Sequence, residues 1–113
     1  MKIEDYSFGT IIIDGSSYTN DLKIIDGQII RDWWRKEGHG LCLEDIKDVL
    51  DSDAQTFVMG CGYAGILKVT ASFKDLLSKK GIQIMDVPTR KAVDLFNSSS
   101  DLNKTAFGFH LTC

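Results

Sequence analysis

The chain has 113 residues, 43% of them apolar and 26% charged, with 13 basic against 16 acidic side chains and a formal net charge of −3. That length suits one core, and the composition is that of a chain that folds on its own. The acidic balance offers no general attraction to phosphate backbones or anionic lipid, so nucleic acid is not an expected partner and the basic pairs Arg35-Lys36, Lys79-Lys80 and Arg90-Lys91 read as solvated surface.

Along the first third, apolar runs alternate with turn residues: Phe8 to Ile13, Tyr18 to Ile25 and Gln28 to Trp34, separated by Asp14-Gly15-Ser16-Ser17 and Asp26-Gly27. Glycine accepts positive φ without steric cost and aspartate tolerates it better than most residues, so both Asp-Gly steps predict hairpins and the segment reads as an antiparallel β-meander. From Leu43 the period becomes helical. Leu43, Ile46, Val49 and Leu50 share one face, and Glu44, Asp45, Lys47 and Asp48 are predicted on the solvent face.

Gln55 to Met59 reads as a buried strand entering a tight loop, Gly60-Cys61-Gly62-Tyr63-Ala64-Gly65. Phe73, Leu76 and Leu77 mark a helix closed by Lys79, Lys80 and Gly81, with cations in its last turn and glycine just beyond. Ile82 to Val87 is a further strand, and Thr89 is placed to N-cap a helix from Arg90 to Phe96. Thr105 to Leu111 closes the pattern, with Ala106, Gly108 and His110 on one face and Phe107, Phe109 and Leu111 on the other. The fold class expected is therefore α/β: one layered domain over residues 1–113, a meander followed by a β-α-β-α-β unit with parallel strands, around a mixed central sheet.

The glycine run after a strand, with Asp86 lying 21 residues beyond Gly65, has the outline of a dinucleotide fingerprint. Against that reading stand the β-branched residues of Ile66 to Thr70, which suit a turn more than a phosphate-binding helix start, and a chain too short for two nucleotide-binding halves. The simpler reading is a glycine turn packing strand to helix. His39-x-x-Cys42 and His110-x-x-Cys113 have the donor chemistry of a zinc site, but Gly40 and the position of Cys113 argue against a rigid one, so no metal and no cofactor is expected. Cys61 near a base such as His110 would suit thiol chemistry, although a buried, inert cysteine is the commoner case. Trp33 and Trp34 are adjacent and so point to opposite faces, one to the core and the other to the surface or an interface; Trp34, if it is the exposed one, is the candidate partner contact.

Three cysteines without a leader segment suggest a reducing compartment, and no apolar run approaches the roughly 20 residues of a membrane helix. A cytoplasmic location, with no membrane association, is the corresponding expectation.

Tyr6-Ser7-Phe8-Gly9, the stretch from Trp33 to His39, Val58-Met59-Gly60-Cys61-Gly62, Pro88-Thr89 with Ala92, Phe96-Asn97 and His110-Leu111-Thr112-Cys113, in that order and spacing, resemble a small family of uncharacterised domains first seen in archaea. That family includes an adipogenesis-associated human domain protein and the mitochondrial complex I assembly factor 3. The resemblance implies layered sheets and helices and no assigned enzymatic activity. It also implies that the glycine loop, Thr89 and Asn97 lie near strand ends on one side of the sheet.

Two functional expectations follow. The first is a non-catalytic module for protein interaction or assembly, acting on a partner or on a second copy. The alternative is a site for a small anion or nucleotide, in a binding protein or an enzyme, built on Gly60, Cys61, Gly62 and Gly65 with Thr89, Arg90, Asn97 and His110 around them.

Overall fold

The computed structural model describes residues 1–38 and 40–113. Strands β1 (Ile3–Ser7), β2 (Thr10–Ile13) and β3 (Ser16–Tyr18) form an antiparallel three-stranded sheet. The second sheet has five strands: β4 (Leu22–Ile25), β5 (Gln28–Ile30), β6 (Thr56–Cys61), β7 (Gln83–Val87) and β8 (Thr105–His110), in the spatial order β5-β4-β8-β6-β7. Strands β7, β6 and β8 run parallel, and β4 closes onto β8 antiparallel, so the sheet is mixed as expected.

Both Asp-Gly steps are hairpin turns. Asp14 and Gly15 have φ of 49° and 83°, and Asp26 and Gly27 have 52° and 73°, the double positive φ of a two-residue turn that matches strand twist. The expected meander is nevertheless split. The run from Tyr18 to Ile25 breaks at Thr19-Asn20-Asp21, so β3 stays in the small sheet while β4 crosses to the large one. Strand β1 has only two buried residues, Ile3 and Tyr6, around a bulge, which is why periodicity did not expose it. The third run stops at Ile30, because Asp32 takes φ of 57° and turns the chain before the tryptophans.

Helices cover both faces of the large sheet. A 3-10 turn (Leu43–Ile46) runs into the short α1 (Lys47–Leu50), and α2 (Ala71–Lys79) is capped by the Thr70 hydroxyl, which accepts from the Phe73 amide at 3.2 Å. Helix α3 (Thr89–Ser98) buries Thr89, Ala92, Val93 and Phe96, the i, i+3, i+4, i+7 stripe of a core-facing helix.

Two apolar layers result. Phe107, Phe109, Leu111, Val58, Leu22 and Ile24 pack under α3 and against Ile3, Tyr6, Ile11 and Ile13 of the small sheet. On the opposite face, Phe57, Met59, Cys61 and Ala106 meet Trp33, Ile46, Val49, Leu67 and Leu77. Gly108 makes room for the second layer: a Cβ there would stand 2.9 Å from both the Trp33 and Phe57 rings. No helix of the described residues is long and apolar enough to cross a membrane.

Candidate functional site

Gly60 and Cys61 are the last residues of β6 and belong to the strand, so the turn proper starts at Gly62, where φ is 102°. Four of its backbone donors are engaged within the chain. The Gly62 amide donates to Thr89 Oγ1 at 2.8 Å, Tyr63 to the Thr112 carbonyl at 2.7 Å, Gly65 to the Gly62 carbonyl at 3.2 Å and Leu67 to the Cys61 carbonyl at 3.1 Å. A Cβ on Gly62 would lie 2.6 Å from the Cys113 carbonyl oxygen, and one on Gly60 would lie 3.0 Å from Thr89 Oγ1. The glycines thus admit the chain's own α3 and closing segment.

Thr89 does not act as an N-cap, because the helix already includes it and Pro88 takes the cap position. Its hydroxyl donates to the His110 carbonyl at 2.6 Å while accepting from Gly62, locking the ends of β6 and β8 to the start of α3. Arg90 donates to the Tyr6 carbonyl at 2.9 Å and lies over the Tyr6 ring. Asn97 exchanges two hydrogen bonds with the Ile3 backbone, at 3.0 and 2.8 Å. It sits at the far end of α3 from Gly62, so the placement of Asn97 beside the glycine loop is corrected: a helix rise of about 1.5 Å per residue carries it about 12 Å along the axis from Thr89.

A hollow of about 210 Å³ lies beside the loop, lined by Cys61, Gly65, Lys68, Asp86 and Pro88 among others. Asp86 faces it but is held by Lys74 of α2 at 2.6 Å. Helix α2 starts six residues after Gly65 with its first turn capped by Thr70, so its N-terminus is not delivered to the glycines as a dinucleotide site requires. Burial, reinforced by the Asp86 carboxylate, pushes the Cys61 thiol up to about 11, leaving roughly one part in ten thousand as thiolate at neutral pH. With an alkylating reagent, exposed Cys113 is expected to react first and Cys61 only on unfolding, as peptide mass mapping over time would show. Rapid modification of Cys61 in the folded protein would contradict this.

The densest polar cluster lies one strand away and was not visible in the sequence. Asp21, just before β4, stands opposite His110 across the β4–β8 pair. Its Oδ1 accepts from the Leu111 amide at 2.8 Å, and its Oδ2 accepts from Arg35 Nη1 and from His110 Nδ1, both at 2.7 Å. The carboxylate contact places the imidazole proton on Nδ1, so Arg35 Nη2, 3.0 Å from the same nitrogen, faces a donor and makes no second bond there. Burial alone would raise the Asp21 carboxyl. The hydrogen bonds from His110, Leu111 and Arg35 outweigh it and hold the group below the ordinary value near 3.8. Arg35 Nε and His110 Nε2 are buried without a partner among the described residues.

Asp21 also accepts the Trp33 amide on its main-chain carbonyl at 2.9 Å. The same few residues therefore fix where Trp33 turns inward and Trp34 outward. Trp34 is 75% exposed and rims a cleft of about 350 Å³ shared with Asp21, Arg35, His110, Thr112 and Cys113. Beyond the closing segment lie Tyr63, 57% exposed, and Phe8, 58% exposed, with ring centroids 6.0 Å apart. Asp45, expected on the solvent face, is instead buried: its carboxylate accepts the Lys36 and Cys42 amides, and its carbonyl accepts Trp33 Nε1 and Lys23 Nζ. It shapes the loop that follows the tryptophans. Among the described residues no group of His, Cys, Asp and Glu is arranged to hold a metal ion, and His39 lies outside them.

This architecture is shared with solved structures. A conserved hypothetical protein of Pyrococcus horikoshii is 28% identical, with a TM-score of 0.81 over 100% of both chains. An outer membrane protein of Bartonella henselae gives 22% identity and a TM-score of 0.79, covering 98% of this chain and 94% of that one. A Mth938-like domain from Bordetella pertussis retains the fold at 9% identity, with a TM-score of 0.67 over 97% and 85%. The family described as protein of unknown function (DUF498/DUF598) matches residues 3–107, and the chain belongs to it.

Proposed function

We propose that the protein is a non-catalytic interaction module that recognises a protein partner through the aromatic end of the domain. The observation that carries this reading is the set of three exposed rings, Phe8, Tyr63 and Trp34, flanking the closing segment on hydrogen-bonded backbone. Gly9 donates to the Leu111 carbonyl and Tyr63 to the Thr112 carbonyl, while Asp21 anchors the Trp33-Trp34-Arg35 turn. Rigid aromatic side chains lose little entropy on docking and dominate binding energy in interfaces. The resemblance to a family that includes a complex I assembly factor supports the same reading.

The glycine loop is less suited to an anion, since Gly62, Tyr63, Gly65 and Leu67 spend their amides internally. The test is a photo-crosslinking residue placed at Trp34, with a matched control at exposed Leu76 on α2. In cells, discrete adducts are expected from position 34, reduced at least about tenfold by Phe8→Ala with Tyr63→Ala, since hot-spot truncations cost ~2 kcal/mol or more. Equal adduct patterns from both positions would remove the aromatic end as the recognition surface.

A further inference from the structure

Each sheet has two edges, and three of the four are blunted. Asn97 takes both backbone groups of Ile3 and Arg90 takes the Tyr6 carbonyl, which covers the outer side of β1. Strands β3 and β5 are three residues each, and β5 ends at Ile30 before the turn at Asp32. Short edges of this kind offer little to pair with.

Strand β7 differs. It pairs with β6 over five residues in unbroken register, without a bulge, a lysine or an internal proline. The Gln83 amide donates to Gln55 on the β6 side, so Gln83, Met85 and Val87 turn their backbone groups inward. The alternate residues, Ile84 and Asp86, direct their N–H and C=O groups outward, where no described segment covers them. Met85, 45% exposed, stands between them, in register with Val58 and on the same face of the sheet.

We infer that the β7 edge is a homodimer seam, in which a second copy of this chain adds its own β7 antiparallel and extends the sheet to ten strands. The register is self-complementary. A twofold axis at Met85 sets Ile84 opposite Asp86 of the second copy, and the reverse, so the four outward-facing groups on each strand bond one another. Met85 then meets its counterpart as the non-hydrogen-bonded pair, where side chains stand closest. Charge is compatible, because each Asp86 already carries Lys74 at 2.6 Å, and the two carboxylates meet only on the diagonal, about 7–8 Å apart. A five-residue seam buries less than the ~800 Å² per partner of a standard interface, so the dimer is weak and its population depends on concentration.

Sedimentation equilibrium from about 10 µM to about 1 mM tests the seam, since weak interfaces populate in that range. The wild-type mass is expected to rise towards two chains, and Met85→Lys, with an unchanged circular dichroism spectrum, to stay at one. In a Cys42→Ser, Cys113→Ser background, mild oxidation is expected to link Met85→Cys across the axis. Gln83→Cys, which would face Val87 of the second copy, is expected to remain unlinked. A wild-type protein that is monomeric throughout overturns the inference. So does association that survives Met85→Lys, or equal linking at positions 83 and 85.

Discussion

Asp21→Asn is expected to destabilise the domain by about 3–5 kcal/mol, because it removes the anion from a buried pair and leaves Arg35 uncompensated. The Arg35 side chain is only 5% exposed, and the NH2 of Asn would face a donor in either orientation, the Arg35–His110 pair or the Leu111 amide. For a domain of this size that is a fall in Tm of more than about 10 °C, measurable by calorimetry. The acid limb of the stability profile provides an independent check. A carboxyl held low in the folded state stabilises above its unfolded pKa, near 3.8, and that contribution is lost as pH falls through the lower folded value. The difference between wild type and variant should therefore shrink below about pH 4. A variant within about 0.5 kcal/mol of wild type at pH 7 would show that the cluster does not hold the two strands and the tryptophan turn together.

Gly62→Ala is expected to cost a similar amount, from two separable sources. The φ of 102° is unfavourable for any residue with a Cβ, at about 1–3 kcal/mol, and the added carbon meets carbonyl oxygens of Thr112 and Cys113 at 2.7 and 2.6 Å, forcing backbone movement for about 1–3 kcal/mol more. Gly15→Ala isolates the first source, since Gly15 has φ of 83° and no atom lies within 4 Å of where the methyl would stand. Denaturant titration of both variants should place Gly62→Ala below Gly15→Ala by at least about 1 kcal/mol. Equal losses would show that the closing segment yields freely.

The α/β class, both hairpin turns, the parallel β6-β7-β8 unit and the two faces of β8 were legible because each rests on local periodicity or turn chemistry. The divergence of Trp33 and Trp34 was expected from adjacent strand positions, but the chain has left β5 before them, and which ring turns outward is set by local contacts such as the Asp21 carbonyl that accepts the Trp33 amide. The boundary between the two sheets was not legible, because Tyr18 to Ile25 reads as one apolar run and only packing decides that Thr19-Asn20-Asp21 crosses between layers. Asp21 and Asp45 were hidden by their type. A carboxylate in a polar stretch looks solvated until partners 14, 89 and 90 residues away from Asp21, or the indole nitrogen of Trp33 near Asp45, arrive in space. Gly60, Gly62 and Thr89, singled out as a ligand loop, do lie together, yet what they approach is the chain itself. Sequence spacing could not distinguish a phosphate from the Cys113 carbonyl.

The position of β8 bears on how the chain folds as it is made. It is the last strand in sequence but the central one in space, lying between β4 and β6. Until roughly residue 110 has left the ribosome, the β4–β5 hairpin and the β6–β7 pair have no common partner, and the apolar residues awaiting Phe107 and Phe109 stay uncovered. Pairing Leu22 with Phe109 also closes a loop of about three quarters of the chain, an arrangement that slows folding. The apolar faces that β8 covers are therefore exposed while residues 22–104 are made, the kind of transiently uncovered surface on which chaperones act.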